Sequence, residues 1–169
     1  MIEPAYIRTM ARYNTWQNNQ LMGILKLMPE EELMLDRGAF FGSIMGTINH
    51  LLWGDMLWLN RFDPTAAAPQ CEPADGHKMF PTIGTWSAER FRTDGLIRLW
   101  AERVKAVHLH GDLSWYSGAM KQDYSLPLAM CIMQFFNHQT HHRGQVHAML
   151  TATGRDAPVT DLVFMPEDM

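Results

Sequence analysis

The chain has two cysteines among 169 residues, Cys71 in a polar stretch and Cys131 in an apolar one. Two such residues make a poor disulfide framework, and a reducing compartment is the simpler reading. No segment reaches about 18 uninterrupted apolar residues, the length a membrane-spanning helix needs. The opening Met1-Ile2-Glu3-Pro4-Ala5-Tyr6 has no basic region followed by an apolar run. The expectation is therefore a soluble, cytoplasmic protein without a membrane partner. Basic charge is also sparse: 14 Lys and Arg stand against 18 Asp and Glu, for a formal net charge of -4, and the cations are scattered. Phosphate-backbone binding depends on clustered cations, so a nucleic-acid surface is not expected. Two catalytic signatures are missing as well. Without a Glu-x-x-His pair the chain does not fit an oxygen-using di-iron bundle, and without Gly-x-Ser-x-Gly it does not fit a serine hydrolase.

What is present is apolar and helical in pattern. Hydrophobic residues make up 47% of the chain, ample for the core of one domain over residues 1–169. Tyr6, Met10, Tyr13, Leu21, Ile24 and Met28 recur at helical intervals from about Ala5 to Met28, where Pro29 stops the run. Ser43 can cap a second helix carrying Ile44, Ile48, Leu51, Leu57 and Trp58 and ending near Asp63-Pro64. From Asp63 to Thr85 the residues Pro64, Pro69, Pro73, Gly76, Pro81 and Gly84 predict a long irregular crossover. A third helix is expected from near Thr85 or Ser87 to about Val107, burying Ile97, Trp100, Ala101 and Val104. Residues 113 to 125 suit a short hairpin or irregular turn, and a fourth helix runs from Pro127 to about Gly154. The tail has enough apolar character to dock. The fold class expected is all-α: a four-helix bundle with a long crossover between helices two and three.

The most informative stretch is Asn137-His138-Gln139-Thr140-His141-His142-Arg143-Gly144-Gln145 in the fourth helix. His142 lies about 40° around the helix from His138, so the two rings share a face with Cys131, Phe135, Gln145 and Met149. A buried imidazole without a partner costs roughly 1 to 3 kcal/mol, and a divalent ion binding neutral rings removes that difficulty. His50, in the middle of the second helix, is the best candidate for a third ligand. The metal set is thus His50, His138 and His142, with His141 a possible substitute about 60° to the other side. His147 points nearly opposite, and His77, His108 and His110 fall in loops or helix ends. Three imidazoles leave a tetrahedral ion one open position, and zinc and nickel both suit nitrogen donors.

No catalytic side chain is singled out, though Gln145 shares the His face and could orient a ligand or a bound water. Asn49 and Asn137 point elsewhere. Gly46 and Gly54 bracket His50 one turn away on each side, leaving either an open pocket or simple close packing. Arg90 and Asp94 suit an inward salt bridge, Arg143 an ion pair, and Tyr116 and Tyr124 hairpin packing. Ile132, Phe136, Arg143 and Leu150 form an apolar strip with one charge away from the ligand face, which predicts a homodimer or another oligomer, the alternative being cover by the tail or the 63–85 crossover.

The later motif, His138 with His142-Arg143-Gly144-Gln145, together with His50 and the first-helix Tyr13-Asn14-Thr15-Trp16-Gln17-Asn18, resembles the DinB/YfiT-like superfamily. The likeness runs from about Tyr6 to Leu150. It implies a helical bundle, a metal held by three side chains, and a homodimer. It also implies a reaction class, because the superfamily includes thiol-dependent transferases and isomerases. The leading expectation is a metal-dependent thiol transferase in which the ion activates a low-molecular-weight thiol against a small electrophile. A metal-dependent hydrolase is the competing enzyme. A non-catalytic metal- or ligand-binding stress protein is the third reading.

Overall fold

The computed structural model describes residues 2–118 and 120–169. It is mostly helical, with four long helices and one small antiparallel sheet. Helix α1 spans Pro4–Leu25 and starts on a proline, which surrenders an N–H that the first turn cannot use. After Pro29 comes a short helix, α2, Glu30–Met34, which periodicity over so few residues does not reveal. Helix α3, Ile44–Phe62, begins where the sequence predicts: Ser43 Oγ accepts from the Gly46 N–H at 3.0 Å.

The crossover after α3 contains one 3-10 turn, Pro73–Lys78, and folds back onto α3. Trp53 Nε1 donates to the Cys71 carbonyl at 3.1 Å. Asn49 accepts from and donates to the backbone of Phe80, so it points away from His50 as expected. Helix α4, Ile83–Arg103, starts earlier than expected because Thr82 and Thr85 form a reciprocal cap. It also ends earlier, since Val104 is extended and residues Ala106–His110 form a separate 3-10 turn. Strands β1, Asp112–Ser117, and β2, Gln122–Pro127, make the hairpin, with Trp115 paired and stacked on Tyr124. Tyr116 is exposed on it. Helix α5, Leu128–Ala152, is the longest element.

Helix α1 packs on α4, α3 on α5, and α3 and α1 also touch α4 and α5 respectively. Each long helix joins two apolar clusters. One gathers Leu21 and Leu25 from α1, Ile48 and Leu52 from α3, Trp86 from α4 and Val146 and Leu150 from α5. The other gathers Ile7 and Ala11, Leu59, Ile97 and Trp100, and Ile132, Phe135 and Phe136 from the same four helices in turn. Between the two clusters each long helix contributes buried polar residues: Asn14 and Asn18, Asp55, Arg90 and Asp94, Gln139 and Arg143. The tail lies along α1. Gln17 Nε2 donates to the Val159 carbonyl at 2.7 Å, and Arg12 holds the carbonyls of Glu167 and Met169.

The strip expected to be free on α5 is covered. Ile132, Phe136, Arg143 and Leu150 are all buried, and Tyr6 of α1 meets Phe136 edge to face with ring centroids 6.1 Å apart. The helical wheel placed these residues opposite the histidines correctly, but a helix between two neighbours buries two faces, and α1 occupies the second. Among the described residues no helix is long and apolar enough to cross a membrane.

Candidate metal centre

Helices α3 and α5 bring three imidazoles together. His50, His138 and His142 each offer one ring nitrogen, and these atoms lie within 4.8 Å of one another. His50 Nε2 and His138 Nε2 face each other at 3.2 Å. His142 Nδ1 is 2.8 Å from Gln145 Oε1, which leaves its Nε2 free of that contact. The rings of His138 and His142 stand edge to face with centroids 4.4 Å apart, as one helical turn dictates.

The close approach of α5 to α3 depends on Gly54. A Cβ at that position would lie 2.8 Å from His138 Cε1, so the missing side chain is what admits the ring. Gly46 serves a different neighbour: a Cβ there would meet the Phe41 carbonyl oxygen at 2.3 Å. Both bracketing glycines therefore serve close packing, one of them against a candidate ligand. Phe41 then stacks on His50, with centroids 3.9 Å apart and planes 21° from parallel, and reaches His142 and His77 at 5.7 and 6.2 Å. This aromatic cover comes from the loop before α3, where no periodicity announces it.

Burial keeps the rings uncharged. It pushes His50 down to about 3, and the neighbouring His138, His142 and His77 lower it further. His138 falls to about 4, again chiefly by burial and then by His142, with Asp55 opposing. His142 is lowered by burial and partly restored by its hydrogen bond to Gln145. All three are neutral at pH 7, the form that can donate a lone pair. His138 Nδ1 is buried without a hydrogen-bond partner.

Behind the histidines runs a second polar cluster that sequence reading found only in part. Arg90 Nη1 donates to Asp55 Oδ2 at 2.6 Å and Arg90 Nη2 lies 2.7 Å from Asp94 Oδ1. The expected inward Arg90–Asp94 pair is there, enlarged by Asp55. Asn14 and Asn18 donate to Asp94, Gln139 Nε2 donates to Asp55 Oδ1 at 3.0 Å, and Arg143 donates to Asn14 Oδ1. Arg143 is thus a buried hydrogen-bond donor to α1, also 5.5 Å from the Tyr13 ring, rather than half of the expected ion pair. Asp55 and Gln139 carry no motif in the sequence. A lone carboxylate inside the apolar run 44–59 was the available signal for the first.

Other predicted positions fall elsewhere. His141 is exposed and does not join the three donors, but its Nε2 lies 3.2 Å from Gln145 Nε2. His108 and His110 are exposed in the 3-10 turn after α4, and Asn137 faces solvent. Cys131 is buried and Cys71 half-buried, and burial pushes both thiols above their ordinary range.

A mostly helical protein that converges three neutral imidazoles from two helices presents the donor set of a divalent-metal site. The chain belongs to the DinB family, whose model matches residues 1–168. It is similar to Protein DinB of Bacillus subtilis (strain 168), with 27% identity over 162 residues that cover 88% of this chain and 87% of the relative.

Proposed function

We propose that His50, His138 and His142 hold a divalent ion, zinc or nickel, in a four-helix bundle of DinB type, and that the protein is a metal-dependent thiol transferase acting on a small electrophile. The observation that carries the metal is the spacing of the donors. In a tetrahedral site with metal–nitrogen distances of about 2.0 to 2.1 Å, neighbouring nitrogens lie about 3.3 to 3.4 Å apart. His50 Nε2 and His138 Nε2 face each other at 3.2 Å, close to that spacing. Their neutrality, imposed by burial, is the second requirement met.

When bound, such an ion supplies Lewis acidity at an open position, lowering the pKa of a thiol or water held there. The protein's own contributions are separable. Gly54 sets the distance between the two helices, Gln145 holds His142 by its Nδ1, and Phe41 covers the His50 ring and limits the approach of water from that side. Neither cysteine supplies the nucleophile in this reading. Cys131 lies seven residues before His138, about 10 Å along the helix, and both thiols are held protonated by burial. The reacting thiol therefore comes from a low-molecular-weight cosubstrate.

A homodimer belongs to the proposal as well, no longer through the covered strip. The large apolar side chains that α5 leaves exposed are Met130 and Met133, which line a groove with Tyr6 of α1. Light scattering at micromolar concentration tests it, and a monomer alone rejects it.

The test of function is a conjugation screen of small electrophiles with and without added thiol, before and after metal removal. Turnover that requires both thiol and metal, and that survives Cys71→Ser and Cys131→Ser, supports the transferase. Thiol-independent cleavage transfers the proposal to a hydrolase using water at the same position. Activity abolished by Cys131→Ser but not by metal removal overturns both.

A further inference from the structure

His141 stands outside the group of three donors yet touches the residue that orients one of them. Its Nε2 is 3.2 Å from Gln145 Nε2, and Gln145 Oε1 is 2.8 Å from His142 Nδ1. The rings of His141 and His142 also meet edge to face, 4.8 Å between centroids. Three side chains of α5 thus form a line from solvent to the candidate metal site.

An imidazole that offers Nε2 to an ion must carry its proton on Nδ1, and that N–H needs an acceptor. The Gln145 amide provides one in only one of its two orientations. Turned over, it presents NH2 to Nδ1, favours a lone pair there, and moves the proton of a neutral ring to Nε2. Which orientation holds depends on what the far end of the amide meets. Here the amide nitrogen meets His141 Nε2, a nitrogen that can accept in the neutral ring.

We infer that His141 is a positioning residue: by accepting a hydrogen bond from the Gln145 amide it fixes Oε1 toward His142 and keeps His142 Nε2 free of a proton. This rests on the reading of His142 as a ligand. His141 itself binds nothing in the site. Its exposure means that substitution there should leave the fold intact.

The test uses full-length, metal-free protein labelled with 15N at histidine, at mildly alkaline pH. Two-bond proton–nitrogen spectra read the tautomer of His142 in the wild type, His141→Phe, His141→Gln, Gln145→Ala and the double variant His141→Phe with Gln145→Ala. His141→Phe keeps the ring contact and removes the acceptor, whereas His141→Gln restores a carbonyl acceptor. The expected result is an Nδ1–H tautomer in the wild type and His141→Gln, a mixture in His141→Phe, and no further change when His141→Phe is added to Gln145→Ala. An unaltered tautomer in His141→Phe, or an additional shift in the double variant, overturns the inference.

Zinc titration of the same proteins separates this from the metal reading. His141→Phe should weaken zinc by less than the roughly 10- to 100-fold seen for groups that touch a ligand directly, and that loss should vanish in the Gln145→Ala background. A wild type that takes up no zinc while the tautomer pattern holds removes the metal reading and leaves the hydrogen-bonded line standing. Zinc uptake with unchanged tautomers does the reverse.

Discussion

On α5 each candidate ligand is followed by a residue of the other polar cluster: His138 by Gln139, His142 by Arg143. One helix therefore feeds two sites about 100° apart, and they are built on opposite principles. The Asp55–Arg90–Asp94–Arg143 cluster sets two carboxylates against two guanidinium groups, with Asn14, Asn18 and Gln139 filling positions between them. Arg90 pairs with both carboxylates, and Arg143 is held by the Asn14 side-chain oxygen. The histidine cluster turns neutral nitrogens toward one another with no counter-charge except the remote influence of Asp55. Paired charges hold helices in register, while converging lone pairs invite a cation.

The largest difference should appear on breaking the paired cluster. Arg90 is fully buried, so Arg90→Ala strands Asp55 and Asp94 and should lower stability by about 3 to 5 kcal/mol, read by urea unfolding. A loss below about 1 kcal/mol would mean that the network does not hold the helices together. Gln145→Ala should show the contrary signature. Zinc affinity should fall roughly 10- to 100-fold with little change in the unfolding midpoint of the metal-free protein. Asn14→Ala sharpens the contrast from the other side: it removes the acceptor of Arg143, should cost about 1 to 3 kcal/mol, and should leave zinc affinity unchanged.

Acidity offers a subtler discriminator, because the two clusters pull stability in opposite directions. In metal-free protein the buried His50 and His138 titrate at about 3 and 4, whereas the unfolded rings titrate near the ordinary 6.5. The unfolded state then binds more protons, so these rings withdraw stability as pH falls from about 6.5 toward 4. Burial raises Asp94 to about 6 from 3.8, so the folded state binds the extra proton and stability increases over the fall from 6 to 4. Replacing His50 and His138 with Ala should therefore flatten or invert the acid-side slope between pH 6.5 and 4. An unchanged slope in urea midpoints would show that the rings titrate normally in the fold.

Most helix positions and the three histidines were legible in the sequence because each rests on a local pattern: 3.6-residue periodicity, a Ser43 cap, a four-residue His spacing, proline and glycine in the crossover. The reading weakened wherever a partner had to be supplied by another helix. The helical wheel gives Arg143 its side of α5, yet nothing local says that Asn14 of α1 receives it or that α1 covers the apolar strip beside it. In the sequence Gly54 fits an open pocket and close packing equally, and the choice between them depends on where His138 arrives. Phe41 left no trace at all, since a loop residue carries no period and its stack on His50 exists only in three dimensions.

The central claim is that three imidazoles from two helices form one metal site. The direct measurement is the metal content of untagged protein by elemental analysis, with zinc or nickel equilibrium dialysis of the wild type, His50→Ala, His138→Ala, His142→Ala and His141→Ala. The account predicts one ion per chain in the wild type, near-complete loss in the first three variants, and retention in His141→Ala. Stoichiometric binding that persists in His50→Ala, His138→Ala and His142→Ala alike would contradict it, and loss in His141→Ala with retention in His142→Ala would show that the wrong member of the adjacent pair had been assigned.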